Sequence, residues 1–88
     1  MTAAIKIHSL NNCMYCDKAK EYLRSKNMIF EEVKYNKATD TDSIMYLVEL
    51  TNWTSFPQIF IDDVFIGGYE QLIEYEFDDG QIRFEEKF

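Results

Sequence analysis

The stretch Cys13-Met14-Tyr15-Cys16 holds both cysteines of the chain and follows a run, residues 3–8, in which apolar and polar residues alternate from Ala4 onward. The alternation predicts a first β-strand. The cysteine spacing lets both sulfurs meet across one turn, so a reversible disulfide can form there. If a helix begins at Cys13, its free N–H groups and dipole favour the thiolate. A thiolate beside a second thiol can accept and pass on a disulfide, so the pattern indicates thiol–disulfide chemistry.

A first helix is expected to follow a polar turn at residues 9–12, with Asn12 as its N-cap. It should run from about residue 13 to residue 26, with Asp17 near its start, Arg24 and Lys26 near its end, and Asn27 in a left-handed cap. Its predicted buried stripe, at helical spacing, is Cys16, Ala19, Tyr22 and Leu23.

The remainder of the chain predicts five further elements. A second strand is expected at residues 28–35, and a second helix, capped by Asp40 or Thr41, runs to about residue 52. Two strands, residues 58–61 and 64–66, flank a two-residue turn at Asp62-Asp63. A third helix should span residues 69–77 before Asp78-Asp79-Gly80, and the tail at residues 81–88 fits a short helix or an extended segment. The buried positions expected in the two later helices are Ile44, Leu47, Val48, Leu72, Ile73 and Phe77.

This element order, β-α-β-α-β-β-α, predicts an α/β protein. A strand–helix–strand unit requires a right-handed crossover into a parallel pair, and the later hairpin adds an antiparallel edge. We therefore expect a four-stranded mixed sheet with helices on both faces. The 88 residues fit a single domain, and 47% hydrophobic and 16% aromatic residues predict an aromatic-rich core. The core candidates are Phe30, Phe56, Phe60, Phe65 and Trp53.

Charge and targeting signals narrow the class of partner. Nine basic against sixteen acidic residues give a net charge of −7, which argues against nucleic acid because phosphate binding needs a basic surface. We find no secretory signal pattern and no apolar run near the roughly 18 residues of a membrane span. Two cysteines in such a chain favour a reducing compartment, so a cytoplasmic location is expected.

Three motifs have both a functional and a structural interpretation. The cysteine pair could be half of a zinc site, although His8 is the only histidine and a second cysteine pair is missing. Pro57 could simply begin a strand, or it could form a cis bond that leaves the main chain of Phe56 free to pair with an extended thiol substrate. Gly67-Gly68 could be a tight turn, or it could open a helix whose N–H groups bind a carboxylate, with Gln71 assisting.

Taken in order, Cys-Met-Tyr-Cys, Ser-Phe-Pro-Gln-Ile-Phe-Ile and Ile-Gly-Gly-Tyr-Glu-Gln-Leu resemble the three motifs of the dithiol glutaredoxin family, and the resemblance covers roughly residues 3–77. It is strongest to small phage or bacterial members. The resemblance implies a thioredoxin-like fold and a glutathione-dependent reductase of protein disulfides and glutathione mixed disulfides, with ribonucleotide reductase as one candidate client. It implies that Cys13 is the nucleophile and Cys16 resolves protein disulfides. The glutathione-binding residues it implies are Tyr15, Phe56, Pro57, Gly68, Tyr69 and Glu70.

The chain departs from the family pattern at positions that bear on glutathione. Leu10 stands where many members carry Lys or Arg, and Lys18, Lys20 and Lys37 are candidate substitutes. Met14 replaces a common proline whose presence disfavours iron–sulfur assembly in the family. A second candidate function is therefore a dimeric carrier of a [2Fe–2S] cluster held by Cys13 and glutathione. A thioredoxin-like adaptor with vestigial cysteines is a third. For the leading function we expect a monomer without metal.

Overall fold

The computed structural model describes residues 3–77 and has the predicted element order. The elements are β1 (Ile5–Leu10), α1 (Met14–Ser25), β2 (Phe30–Tyr35), α2 (Thr41–Thr51), β3 (Gln58–Ile61), β4 (Val64–Gly67) and α3 (Tyr69–Glu74). The strands lie in the order β2-β1-β3-β4, with β1 parallel to β2 and the other neighbours antiparallel. The predicted α/β fold with a four-stranded mixed sheet is confirmed. Asp78-Asp79-Gly80 and the tail lie outside the described residues.

The first face of the sheet carries an aliphatic core. Alternate residues of the two central strands, Ile5, Ile7, Ile59 and Ile61, pack against Ala19 and Leu23 of α1 and Leu72 of α3. The predicted aromatic-rich core is not found, because the buried cluster is aliphatic and, of the five partly buried aromatic candidates, only Phe30 packs against it. Branched aliphatic side chains fill the space between a sheet and two helices, while the larger rings lie at its margins.

The second face of the sheet is covered by α2. Gln58 and His8 alternate with the core isoleucines and therefore point to this side. The hydroxyl of Thr51, at the end of α2, donates to Gln58 Oε1 at 2.7 Å. Aromatic rings cluster on this face, where His8 and Phe65 both pack against Phe60 and Phe65 also contacts Trp53. Ile44, Leu47 and Val48 of α2 were predicted to be buried, and of these only Leu47 is.

Strand and helix boundaries differ from the sequence prediction at several ends. β1 begins at Ile5 and extends to Leu10, so Ser9 and Leu10 belong to the strand and not to a turn. They are held there by pairing with Lys34 and Tyr35 of β2. β2 begins two residues later than predicted and β4 ends one residue later. Both residues of the predicted hairpin turn, Asp62 and Asp63, have positive φ, as a tight turn between antiparallel strands requires.

The third helix is shorter than predicted. α3 ends at Glu74, and Ile73, predicted to point inward, is 42% exposed. Phe77 lies beyond the helix but still packs against the core, as expected of its side chain. None of the helices within residues 3–77 is long and apolar enough to cross a membrane.

A charged network fixes α1 to the sheet one turn beyond Cys16. The ammonium of Lys20, only 8% exposed as a residue, donates to Glu32 Oε2 at 2.8 Å, and the buried hydroxyl of Ser9 donates to the same oxygen at 2.6 Å. These two hydrogen bonds hold the pKa of Glu32 below its ordinary value of 4.5. One carboxylate thereby connects β1, β2 and α1.

A Glu32→Gln variant is expected to be less stable than the wild type by about 1 kcal/mol at neutral pH. The loss is modest because the Glu32 side chain is 27% exposed and Lys20 retains Asp17 at 3.7 Å. A carboxyl whose pKa is lowered by folding stabilises the protein above its unfolded pKa, and this stabilisation disappears as pH falls below about 4.5. Urea unfolding at several pH values should show the two proteins converging in acid. Glu31→Gln, at the exposed neighbouring position, is the control, and an equal loss there would contradict this assignment.

Candidate active site

Cys13 is the N-cap of α1, with φ −121° and ψ 109°. Its Sγ accepts the backbone N–H of Cys16 at 3.1 Å, in the place that a serine or aspartate oxygen usually takes. The prediction that Asn12 caps the helix is wrong: Asn12 has φ +56° and forms the left-handed turn that leads into the cap. The reactive sulfur thus lies at the positive end of the helix dipole.

The two cysteines form a disulfide, with their Cα atoms 5.2 Å apart, but they differ in exposure. Cys16 is 1% exposed and belongs to the buried stripe of α1, whereas Cys13 is half-buried. Solvent and a substrate sulfur can therefore approach Cys13 but not Cys16. This asymmetry gives the pair an accessible and an internal member.

The loop before β3 lies directly against Cys13. The Phe56–Pro57 peptide bond is cis, which is the functional one of the two interpretations of Pro57, and Pro57 is fully buried where β3 begins. The carbonyl oxygen of Phe56 lies 3.9 Å from Cys13 Sγ. Main-chain groups of Phe56 are thus within reach of anything bound to that sulfur.

The glycine pair brings α3 against the same loop. Gly67 has φ +125°, a conformation that suits glycine, and a Cβ on Gly68 would lie 3.2 Å from the carbonyl oxygen of Pro57. The N–H of Gly68 donates to Gln71 Oε1 at 2.9 Å, so the Gln71 side chain caps α3. Leu72 N–H closes the first turn by donating to the Gly68 carbonyl at 3.0 Å.

Tyr15, which lies between the two cysteines in the chain, packs against Tyr69 at the start of α3. The ring centroids of Tyr15 and Tyr69 are 5.9 Å apart, and Tyr15 is 50% exposed. The ammonium of Lys18 lies 5.3 Å from the Tyr15 ring centroid. A surface cleft of about 600 Å³ adjoins this pair and is lined by Met14, Tyr69 and charged residues of α1, although neither cysteine lines it.

The three candidate cations differ in how the structure places them. Lys20 is engaged with Glu32 and Asp17 on the core side of α1. Lys18 lies over the ring of Tyr15, a residue of the cysteine motif. The main-chain N–H of Lys37 donates to Asn11 Oδ1 at 3.3 Å, which places this residue beside the loop that leads to Cys13. Lys18 and Lys37 therefore remain candidates to replace the cation missing at Leu10.

His8 is engaged by its neighbours in the sheet and therefore does not support the interpretation of the cysteine pair as half of a zinc site. His8 Nδ1 is hydrogen-bonded to the Tyr35 hydroxyl at 2.8 Å, and its ring packs against Phe60. Burial, with a smaller effect from Lys6, holds the pKa of His8 below 6.5. Within residues 3–77 no group of three or more histidine, cysteine, aspartate or glutamate side chains is placed to hold a metal ion.

Sequence reasoning missed two residues near the site. Trp53, taken only as a core candidate, has its Nε1 3.7 Å from where a Cβ on Gly68 would lie. Tyr35 packs against Phe56, with ring centroids 6.2 Å apart. Neither residue belongs to a motif. Their only signal in the sequence is a large aromatic residue at the end of a predicted strand or helix.

Comparison with known proteins identifies one family. Residues 5–66 match the family model for glutaredoxin. Glutaredoxin 1 of Rickettsia typhi is 36% identical over 78 residues, which are 89% of this chain and 74% of the relative. Glutaredoxin 3 of Escherichia coli K12 is 34% identical over 70 residues, covering 80% of this chain and 82% of that protein.

Solved structures show the same similarity in three dimensions. The solution structure of glutaredoxin from Brucella melitensis is 33% identical, has a TM-score of 0.68, and covers 90% of this chain and 83% of the other. The crystal structure of glutaredoxin 1 from Francisella tularensis, complexed with cacodylate, is 29% identical and has a TM-score of 0.71. The match covers 83% of this chain and 91% of the other.

Proposed function

This chain belongs to the glutaredoxin family, and we propose on that premise that it is a glutathione-dependent oxidoreductase acting through Cys13 and Cys16. The observation that carries the proposal is the N–H of Cys16, 3.1 Å from Cys13 Sγ at the start of a twelve-residue helix. In the reduced protein this N–H and the helix dipole stabilise the Cys13 thiolate, and the thiolate is the attacking form.

Reduction of a glutathione mixed disulfide needs Cys13 alone. The Cys13 thiolate attacks the glutathione sulfur, and the client leaves as a thiolate that takes a proton from water. A second glutathione thiolate then attacks the sulfur of the bound glutathione. Glutathione disulfide is released and the Cys13 thiolate is regenerated. One glutathione thiol is thus consumed overall for each client thiol freed, because the other half of the glutathione disulfide comes from the mixed disulfide itself.

Reduction of a client disulfide uses both cysteines. Cys13 attacks one client sulfur and the other leaves as a thiolate, which gives a mixed disulfide between client and enzyme. Cys16 loses its proton and attacks the Cys13 sulfur, so the client departs fully reduced and the Cys13–Cys16 disulfide forms. Two glutathione molecules then reduce that disulfide. The buried position of Cys16 keeps it from reacting with outside disulfides in place of Cys13.

Glutathione is proposed to bind across the three motifs. Its cysteinyl main chain would pair with that of Phe56, beside the sulfur of Cys13, in the manner of an added strand. Its γ-glutamyl carboxylate would lie at the start of α3, next to Gly68 and Tyr69. The exposed carboxylate of Glu70 would then have to point away from that group. Tyr15 would flank the glutathione sulfur.

Two coupled assays run in parallel test this function. Wild-type protein should reduce a glutathione mixed disulfide when glutathione and glutathione reductase supply electrons. A thioredoxin-reductase-coupled assay should be slower. If only the second assay gives turnover, the proposed reductant is wrong. Disulfide-containing client proteins, including ribonucleotide reductase, can be compared as substrates in the same coupled assays.

We also propose that the protein works as a monomer in the cytoplasm.

Anaerobic purification distinguishes this enzyme from the cluster carrier. A [2Fe–2S] carrier needs Cys13 from two chains and two glutathione thiolates, since the cysteine pair alone gives one accessible sulfur per chain. Such a protein would be brown and dimeric, whereas the proposed oxidoreductase should be colourless and monomeric in size-exclusion chromatography. An adaptor with vestigial cysteines would show turnover in neither coupled assay.

A Leu10→Lys variant is expected to have a lower Cys13 pKa and a kcat/KM for glutathione about twofold to fivefold higher. The new ammonium would favour the thiolate and attract the glycine carboxylate of glutathione. Thiolate absorbance measured against pH, together with coupled kinetics, reports both effects. Leu50→Lys, an equal charge change at an exposed position of α2, is the control. An unchanged titration and KM in Leu10→Lys would mean that Lys18 or Lys37 already supplies the charge.

A further inference from the structure

Tyr35 contacts both loops that border the reactive sulfur. Its carbonyl oxygen accepts the N–H of Asn11 at 3.1 Å, in the loop that leads to Cys13. Its ring packs against the ring of Phe56 on the other side, with centroids 6.2 Å apart. The main chain of one residue and its side chain therefore join the nucleophile's loop to the cis-proline loop.

Residues of the sheet hold the ring of Tyr35 in place. It stacks on His8 with centroids 5.8 Å apart, and the Tyr35 hydroxyl is hydrogen-bonded to His8 Nδ1 at 2.8 Å. His8 in turn meets Phe60 edge to face, with centroids 5.2 Å apart. His8 and Phe60 lie on the central strands β1 and β3, so the support for Tyr35 comes from the middle of the sheet.

We propose that Tyr35 is a positioning residue that sets the distance between the substrate-pairing main chain of Phe56 and Cys13 Sγ. The inference rests on the proposed function in one respect, because it takes the main chain of Phe56 to pair with an extended thiol substrate. Its structural basis is independent: Phe56 lies in a loop, and the Tyr35 ring is an aromatic partner that reaches it from a neighbouring strand. An aromatic pair of this kind fixes both distance and direction.

If Tyr35 has this role, removing its ring should weaken substrate binding without changing the intrinsic reactivity of Cys13. Without the Tyr35 ring, the Phe56 side chain loses its support and the loop can move relative to Cys13. Pairing with an extended substrate then weakens. The thiolate itself is stabilised by the Cys16 N–H and the helix, which do not involve Tyr35. The reaction of Cys13 with a small alkylating agent should therefore be unchanged.

The test uses Tyr35→Leu, Tyr35→Phe and Tyr46→Leu. Tyr46 is the matched control because it is 70% exposed on α2. With the glutathione mixed disulfide of a short peptide, Tyr35→Leu should raise KM about threefold to tenfold at nearly unchanged kcat. Tyr35→Phe keeps the ring and should stay within about twofold of wild type. Tyr46→Leu should match wild type. All four proteins should react with iodoacetamide at equal rates.

Phe56→Leu removes the same contact from the other side and keeps the test decisive if Tyr35→Leu does not fold. It should also raise KM. When both substitutions are combined, KM should not exceed that of the single variant with the larger increase, because both changes remove the same interaction. An unchanged KM in folded Tyr35→Leu overturns the inference. A fall in alkylation rate parallel to kcat/KM also overturns it, because the change would then act on Cys13 itself.

Failure of the proposed function gives a different result. If wild-type protein does not turn over with glutathione, that function is wrong while the positioning role is still measurable. Reduced protein is then mixed with a disulfide-linked peptide dimer in single turnover, without glutathione. Tyr35→Leu should need about threefold to tenfold more peptide for half-maximal rate than wild type, with an equal limiting rate. Equal peptide dependence in the two proteins contradicts the role.

Discussion

A Cys13→Ser variant is expected to lose reduction of both glutathione mixed disulfides and protein disulfides, by about a thousandfold or more. Every step of the proposed cycle begins or ends at the Cys13 sulfur. A serine hydroxyl at the same position remains protonated near neutral pH and forms no stable bond to sulfur. The N–H of Cys16 and the helix dipole would still be present but would have no thiolate to stabilise.

Coupled assays with a glutathione mixed disulfide and with a protein disulfide measure this loss. Cys16→Ser is the matched control for stability, because either substitution removes the same Cys13–Cys16 disulfide. Thermal unfolding of the two reduced variants should therefore be compared first. Substantial activity of Cys13→Ser in either assay would show that Cys16 can act as nucleophile despite being buried.

A Cys16→Ser variant is expected to separate the two activities. It should retain reduction of glutathione mixed disulfides at a rate near wild type, because a second glutathione can release the first from Cys13. Reduction of protein disulfides should fall about tenfold to a hundredfold, because a client trapped on Cys13 must wait for glutathione from solution. The trapped client should be visible as a mixed disulfide on a non-reducing gel.

The separation has a physical basis in the exposure of the two sulfurs. Cys16 is 1% exposed and can reach only the sulfur of Cys13, one turn away. In the proposed cycle it contributes an intramolecular attack, which is fast because no encounter step is needed. Equal loss of both activities in Cys16→Ser, with the variant still folded, would contradict this division of labour.

The order and type of all seven elements were predictable from the sequence. Alternation in β1, the helical stripe of α1 and the two-residue turn at Asp62-Asp63 are local signals, and each agrees with the structure, except that Tyr22 of the predicted stripe is only half-buried. Element ends were less predictable because pairing across the sheet decides them. The sequence predicts a polar turn at Ser9 and Leu10, but pairing with β2 extends the strand through both residues.

The positions of the aromatic residues could not be predicted in the same way. Composition indicates that many rings must be accommodated, but it does not indicate on which side of the sheet. The isoleucines of β1 and β3 occupy the closely packed face, with Phe30 and Phe77 packed against them, while the rings of Phe60, Phe65 and Trp53 cluster on the other face with His8. Contacts such as Tyr35 with Phe56, or Ser9 and Lys20 with Glu32, join distant parts of the chain and follow no sequence period.

The candidate site was predicted as three motifs, and the structure places them together. Phe56 contacts Cys13, and Gly68 packs against Pro57. The sequence did not indicate that Cys13 would cap its own helix, because a cysteine is not a usual capping residue. Nor did it indicate that the Gln71 side chain would accept a hydrogen bond from the N–H of Gly68, since that contact depends on the side-chain conformation.

The central claim is that Cys13 receives glutathione and passes it on. It is tested most directly by mixing reduced wild-type protein with a glutathione mixed disulfide, quenching in acid, and mapping the adduct by mass spectrometry. We expect glutathione on the peptide that contains Cys13, through the Cys13 sulfur, and loss of this adduct as glutathione is added and glutathione disulfide appears. An adduct on Cys16, or glutathione disulfide formed without any enzyme adduct, would contradict the account.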